Sequence, residues 1–196
     1  MIRKPAITCE KIHDIIENRW SPRAFDSNRP LERSTLIALL EAARWSPSCM
    51  NEQPWRFLVC TKTENCDAWE SLLGCLAEKN QQWAQHAPVL FLAVAMQHFS
   101  HNQSPNRWAG YDTGAASMAL TLQATAMGLV SHQMGGFDAE RCRERFNLPE
   151  QGTPMAVIAV GYQAEADALD AELRQREHAE RSRAALSDCF YFGRWA

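Results

Sequence analysis

The chain has 196 residues, 46% of them hydrophobic and 22% charged, which suits one globular domain with a core large enough to need no staples. A formal net charge of -3 leaves no basic surplus for nucleic acid, and no stretch nears the roughly 20 apolar residues of a membrane-spanning helix. With no secretory signal pattern at the N-terminus and seven cysteines but no CxxC pair, reduced thiols and a cytoplasmic location are expected.

Ile12, Ile15 and Ile16 predict a short helix over 9–18 that ends near Trp20 and Pro22. Leu36, Leu39, Leu40 and Ala43 recur at helical spacing and predict a second helix closed by Pro47, followed by a buried strand at 57–60. Trp69, Leu72, Leu73 and Leu76 make a third helix, and the apolar run 89–96 reads as a strand covered on both faces. The polar stretch 98–110 is expected to be a mobile loop. Residues 111–128 read as a helix rich in small residues, which predicts close packing against protein on most sides. A strand at 129–134, a turn at Gly135 and Gly136, a helix capped by Asp138 and a buried strand at 155–162 complete the pattern. Residues 165–184 are highly charged and 186–195 aromatic, which suggests an arm reaching another subunit rather than filling its own core. Helices and strands mix without strict alternation, so the expected class is α+β, a single domain over 1–196 with 165–196 as the arm.

Several residues could carry chemistry. Arg19 and Arg23 flank Ser21 at the end of the first helix; two guanidiniums and a hydroxyl suit a phosphate, although a solvated helix end explains them too. Arg181 and Arg183 lie in the polar arm and could converge on the same anion. The stretch 45–57, WSPSCMNEQPWRF, is by itself an ordinary turn between helix and strand, and Gly135-Gly136 either a tight turn or a close backbone approach to a ligand. His98 and His101 are the only local pair with metal-ligand spacing, and Cys49 with His132 as base is a conceivable nucleophile. No dinucleotide-binding G-x-G-x-x-G, P-loop or G-x-S-x-G elbow occurs.

Taken in order, R-x-S-x-R-x-F at 19–25, the 45–57 stretch, APVLFLAV at 87–94, YDTGAASMALTLQATAMGL at 111–129, GGFD, IAVGY at 158–162 and the terminal R-S-R and GRW resemble the FMN-dependent nitroreductase family across nearly the whole chain. The resemblance implies a three-layer α/β/α sandwich with a mixed, mostly antiparallel sheet, a long central helix and an entwined homodimer. It implies FMN as cofactor and NADPH or NADH as donor. Arg19, Ser21, Arg181 and Arg183 match the shell around the FMN phosphate, Trp20 is a further cofactor-binding position, and Arg23 matches the flavin pyrimidine edge, where a cation favours the reduced ring. Pro47, Ser48, Cys49, Asn51 and Gln53 would come from the partner subunit. Asn80 would touch the pyrimidine edge, Met134 would pack on the ring, and a backbone N–H of Gly135 or Gly136 would face N5. The implied activity is ping-pong reduction of nitroaromatic or quinone-type acceptors with no catalytic side chain. Another acceptor, such as an enone, pteridine or halogenated aromatic, or a carrier or sensor role, is the alternative. The chain departs from the family where many relatives carry Glu and it has Gly135, and at Trp20 and Cys49.

Overall fold

The computed structural model describes residues 2–195. Four strands, β1 (Trp55–Thr61), β2 (Val89–Met96), β3 (Val130–Met134) and β4 (Gly152–Gly161), form one sheet in the order β1-β2-β4-β3. Side chains of β2 and β4 alternate between two cores, as a sheet covered on both faces requires. Leu90, Leu92, Val94, Val157 and Ala159 face one way. Val89, Phe91, Ile158 and Val160 face the other.

The first core is closed by α3 (Cys66–Cys75), α4 (Glu78–Ala84), α6 (Ala139–Arg145) and α7 (Ala171–His178), through Trp69, Leu72, Trp83, Cys142 and Leu173. The second is closed by α2 (Arg33–Arg44) and α5 (Ala109–Ala126), through Leu36, Leu39, Ala116, Leu120 and Ala124. The three-layer α+β expectation therefore holds. Within one chain every adjacent pair among the described strands is antiparallel, so the expected mixture is absent there. The α5 crossover makes β2 and β3 run the same way, but β4 lies between them.

Expected helix ends shift by a few residues. The first, α1, is only Asp14–Asn18 and leaves Ile16 half-exposed. Asp138 caps α6 as expected, accepting a hydrogen bond from the Arg141 N–H at 2.9 Å. Helix α4 was not predicted, because EKNQQWA is polar apart from Trp83 and Ala84 and too short for a period to emerge. The central helix α5 buries Asp112, Thr113, Ala116, Ser117, Leu120 and Ala124, yet Tyr111, Gly114 and Met118 stay exposed along one stripe.

The expected loop 98–110 folds as a turn that leads into α5: His98 bridges Pro105, and Ser100 donates from N–H and Oγ to the Glu52 carboxylate at 2.9 and 3.2 Å. The charged 165–184 segment differs most from expectation. Asp170 caps α7 by accepting from the Leu173 N–H, and Ala166, Leu169, Leu173 and Glu177 are buried in their own chain. Four well-placed buried residues suffice to fold a segment whose average composition is polar. Only the stretch beyond α7 is mostly exposed, including the short α8 (Leu186–Cys189) and the side chains of Leu186, Phe190, Phe192 and Trp195.

Candidate functional site

The chain from Arg19 to Phe25 leaves α1 and runs to the end of β4, where Phe25 pairs with Gln163 and Asp26 N–H donates to the Tyr162 carbonyl. Arg19 Nη1 donates to Ser21 Oγ at 3.1 Å. Arg181 reaches back across the molecule and donates to the Lys4 and Glu17 carbonyls at 2.5 and 2.8 Å. Burial lowers the pKa of Arg19, and the charges of Arg181 and Arg183 lower it further; burial and Arg183 act likewise on Arg181. These three guanidiniums are therefore close enough to repel. Among the described residues none has a carboxylate within 4.0 Å. Clustered cations without carboxylate partners, two of them partly desolvated, can hold a polyanion.

Trp20 lies beside this cluster with Lys4 Nζ 4.5 Å from its ring centre, and Arg19 and Trp20 help line a cavity of about 260 Å³. Arg23 stands at a smaller cleft of about 140 Å³ with Asn80, Trp83 and Arg176. Burial pulls its pKa down, Glu177 opposes this, and Arg176 adds to it. Asn80 Nδ2 donates to the Gly136 carbonyl at 3.0 Å, and a Cβ on Gly136 would lie 2.8 Å from that nitrogen. A side chain there would have to displace the Asn80 amide from this hydrogen bond. Gly135 is exposed beside it. Met134 is buried in the first core, so its side chain fills the protein interior and only its backbone lies at the turn.

The Pro47–Gln53 segment lies at the start of β1, whereas the Arg19–Arg23 segment lies beside the end of β4, which is level with the end of β1. A seven-residue strand separates those levels by about 20 Å. One chain therefore does not bring the two groups of predicted residues together. Met50, Asn51 and Gln53 have positive φ, of 53°, 55° and 52°, each in the left-handed region that non-glycine residues seldom occupy. Three contacts hold this shape. Cys49 N–H donates to buried Asp112 Oδ2 at 3.0 Å, Gln53 N–H to Ser48 Oγ at 3.0 Å, and Glu52 accepts from Ser100. Pro47 and Asn51 are exposed, an outward-facing platform.

Sequence reasoning missed Asp112, Glu52, Lys4 and Glu177. The last is fully buried, and its carboxylate accepts from Arg23 N–H at 2.9 and 3.0 Å and from Ala24 N–H at 3.1 Å. An isolated Glu in a charged run carries no signal of burial; Leu173, one turn earlier, gives only a hint of the helix face. His132 sits under the arginine segment, its Nδ1 3.0 Å from the Pro22 carbonyl and its ring 4.5 Å from the centre of Trp83. Burial, with the charges of Arg23 and Arg19, lowers its pKa to about 4 despite the raising effect of the Pro22 and Ser21 backbone. It is at the opposite end of the sheet from Cys49, so the structure does not form the Cys49–His132 pair. His98 and His101 are both exposed, and the described residues hold no group of three or more potential metal ligands. No described helix is long and apolar enough to cross a membrane.

The sequence profile of the nitroreductase family matches residues 16–162. The chain belongs to the nitroreductase family. It is 32% identical over 135 residues to an uncharacterised 15.4 kDa protein of Mycolicibacterium smegmatis, covering 69% of this chain and 90% of that one. It is 25% identical over 191 residues to the oxygen-insensitive NAD(P)H nitroreductase of Salmonella typhimurium, covering 76% and 87%. A solved structure of an oxidoreductase containing FMN superposes with a TM-score of 0.91 at 33% identity, over 97% of this chain and 96% of that one. A nitroreductase family protein of Clostridium difficile shares the fold, with a TM-score of 0.70 at 23% identity over 92% and 97%. The family match covers both predicted segments, Arg19–Arg23 and Pro47–Gln53, and stops short of Arg181 and Arg183.

Proposed function

We propose that the protein is a cytoplasmic, homodimeric, FMN-dependent NAD(P)H oxidoreductase that reduces nitroaromatic or quinone-type acceptors with ping-pong kinetics. The observation that carries this reading is the unpaired cation cluster of Arg19, Arg181 and Arg183 beside Ser21, which suits the phosphate dianion of FMN. The glycine turn adds a second fit, because Gly135 and Gly136 are exposed and carry no side chain that would cover their backbone. FMN, when bound, supplies the ring that accepts hydride and passes electrons on. The relative named as an NAD(P)H nitroreductase and the neighbour containing FMN support the class of reaction.

In this reading Arg19, Ser21, Arg181 and Arg183 hold the phosphate, Arg23 and Asn80 meet the pyrimidine edge, and the N–H of Gly135 or Gly136 faces the reactive ring position. Trp20 walls the phosphate side. Pro47, Ser48, Cys49, Asn51 and Gln53 serve the partner's cofactor. A two-fold axis turns a platform at one end of the sheet toward the cation cluster at the other end of the second chain, so two sites form in one dimer. The exposed stripe of Tyr111, Gly114 and Met118 and the aromatic segment beyond Leu186 are the surfaces such a dimer would bury.

The deciding experiment is the visible spectrum of the purified protein before and after anaerobic NADPH or NADH, followed by addition of a quinone. Flavin bands that bleach with a nicotinamide donor and return with the quinone are expected. Bands that fail to bleach would leave a flavin carrier, and a colourless protein that takes up no FMN would refute the proposal.

A further inference from the structure

We propose that Glu177 is the positioning residue that holds the Arg19–Arg23 segment in its anion-binding shape, so that helix α7 governs how tightly the chain retains a phosphate-bearing cofactor. The proposal rests on reading that segment as the FMN half-site. Glu177 is completely inaccessible to solvent, and a buried carboxylate is tolerated only when its oxygens are satisfied. They are satisfied by two consecutive backbone N–H groups, of Arg23 and Ala24, more than 150 residues away in the chain. Neither oxygen forms an ion pair with a guanidinium among the described residues. The carboxylate therefore fixes the backbone between the cations and leaves the cations free for a ligand.

Electrostatics gives the second argument. Lys4, Arg19, Arg23, Arg181 and Arg183 gather with mutually unfavourable effects, and Glu177 is the carboxylate that counters them at Lys4 and at Arg23. A segment crowded with like charges needs an anion before any ligand arrives, and a buried one persists where salt screens surface charges. Packing does not call for a carboxylate here. Leu169 and Leu173 already anchor α7 to the core, and Asp170 already caps it. The other anchors of the segment, His132 at the Pro22 carbonyl, the Ala164 N–H at the Ala24 carbonyl and the Phe25–Gln163 bridge, leave the Arg23 and Ala24 N–H groups without a partner if Glu177 is removed.

Positioning and bare charge predict opposite signs, which makes the test decisive. Glu177→Gln keeps the shape but replaces one accepting oxygen by an N–H₂ that faces a donor, and it deletes a negative charge. If Glu177 were only a charge, its removal would tighten FMN and raise the reduction potential of the bound flavin. If it positions the segment, FMN binding weakens and the potential falls, because Arg23 no longer faces the ring. Flavin fluorescence titrations of the full chain with FMN and riboflavin, together with the potential of bound FMN, read both signs.

The expected result for Glu177→Gln is FMN affinity lower by tenfold or more, a smaller preference for FMN over riboflavin, and a lower potential. Unchanged or tighter FMN binding overturns the proposal. Should the Gln variant not fold, Glu177→Asp carries the test, since it keeps the charge but is too short to reach both N–H groups. Weaker FMN binding by that variant supports positioning, and unchanged binding refutes it. A wild-type chain that binds no FMN overturns the cofactor reading, and the proposal with it, whatever the variants do.

Discussion

The Arg19–Phe25 and Pro47–Gln53 segments are short connections, each leaving a helix and each proposed to hold part of one cofactor, yet they are stabilised differently. The first is held by groups remote in sequence: Glu177 at its backbone N–H groups, His132 at Pro22, and the backbone after β4 at Ala24 and Phe25, while Arg181 ties the preceding helix at Glu17. The second is shaped largely by its own residues, through three left-handed backbone conformations and the Ser48–Gln53 bond, with Asp112 and Ser100 as external ties. A segment that recognises charge must hold repelling cations together, and that requires forces from outside. A segment that presents shape needs a fixed backbone, which local hydrogen bonds can supply. The two lie at opposite ends of the sheet, so in the proposed dimer each would be completed by the other from a second chain.

The largest effect should come from removing what joins the halves. A chain ending before Leu186 loses the exposed aromatic segment and is expected to sediment as a monomer without retained flavin; a flavin-bound dimer of the truncated chain would break the composite-site comparison. Next is the pH dependence of the first segment alone. His132 has a pKa of about 4 when folded against about 6.5 when unfolded, so the unfolded chain takes up the proton first as pH falls. Stability is full above about pH 6.5 and declines toward pH 4 by about 3 kcal/mol, and His132→Gln should remove that slope in urea titrations at a series of pH values.

Replacing Arg19 or Arg183 by Ala deletes one charge-assisted contact, with an expected loss of about 1.5 to 3 kcal/mol in FMN binding and little change in riboflavin binding. Equal loss for both flavins would shift the assignment away from the phosphate. Asp112→Ala acts on the second segment, leaving the Cys49 N–H without its acceptor at an expected cost of about 1 to 3 kcal/mol of stability. Denaturant midpoints test it, and an unchanged midpoint would show that the local bonds alone hold the platform.

The legible parts of the sequence were those where one residue type repeats or one side chain answers to its neighbours. Val89–Met96 reads as a doubly buried strand because its run is almost continuously apolar, and all but Met96 are indeed buried; Asp138 reads as a cap because the N–H it accepts from is only three residues on. Helices α4 and α7 escaped because each buries only two residues, too few for periodicity to stand out in a polar stretch. Met134 is the complementary case: the resemblance implies a ring contact beside the glycine turn, and the structure adds that its side chain lies in the first core, the face the pleat assigns it.

By itself the sequence determined the layers, the family and the basic residues proposed to hold a phosphate, since these follow from local patterning and from motifs in order. Only the tertiary structure decided that Glu177, remote in sequence and fully buried, binds the backbone between the arginines, and that the two segments face opposite ends of the sheet. The reason is physical: periodicity reports which face of an element is apolar, but a buried charge is tolerated only by partners that the fold alone brings within reach.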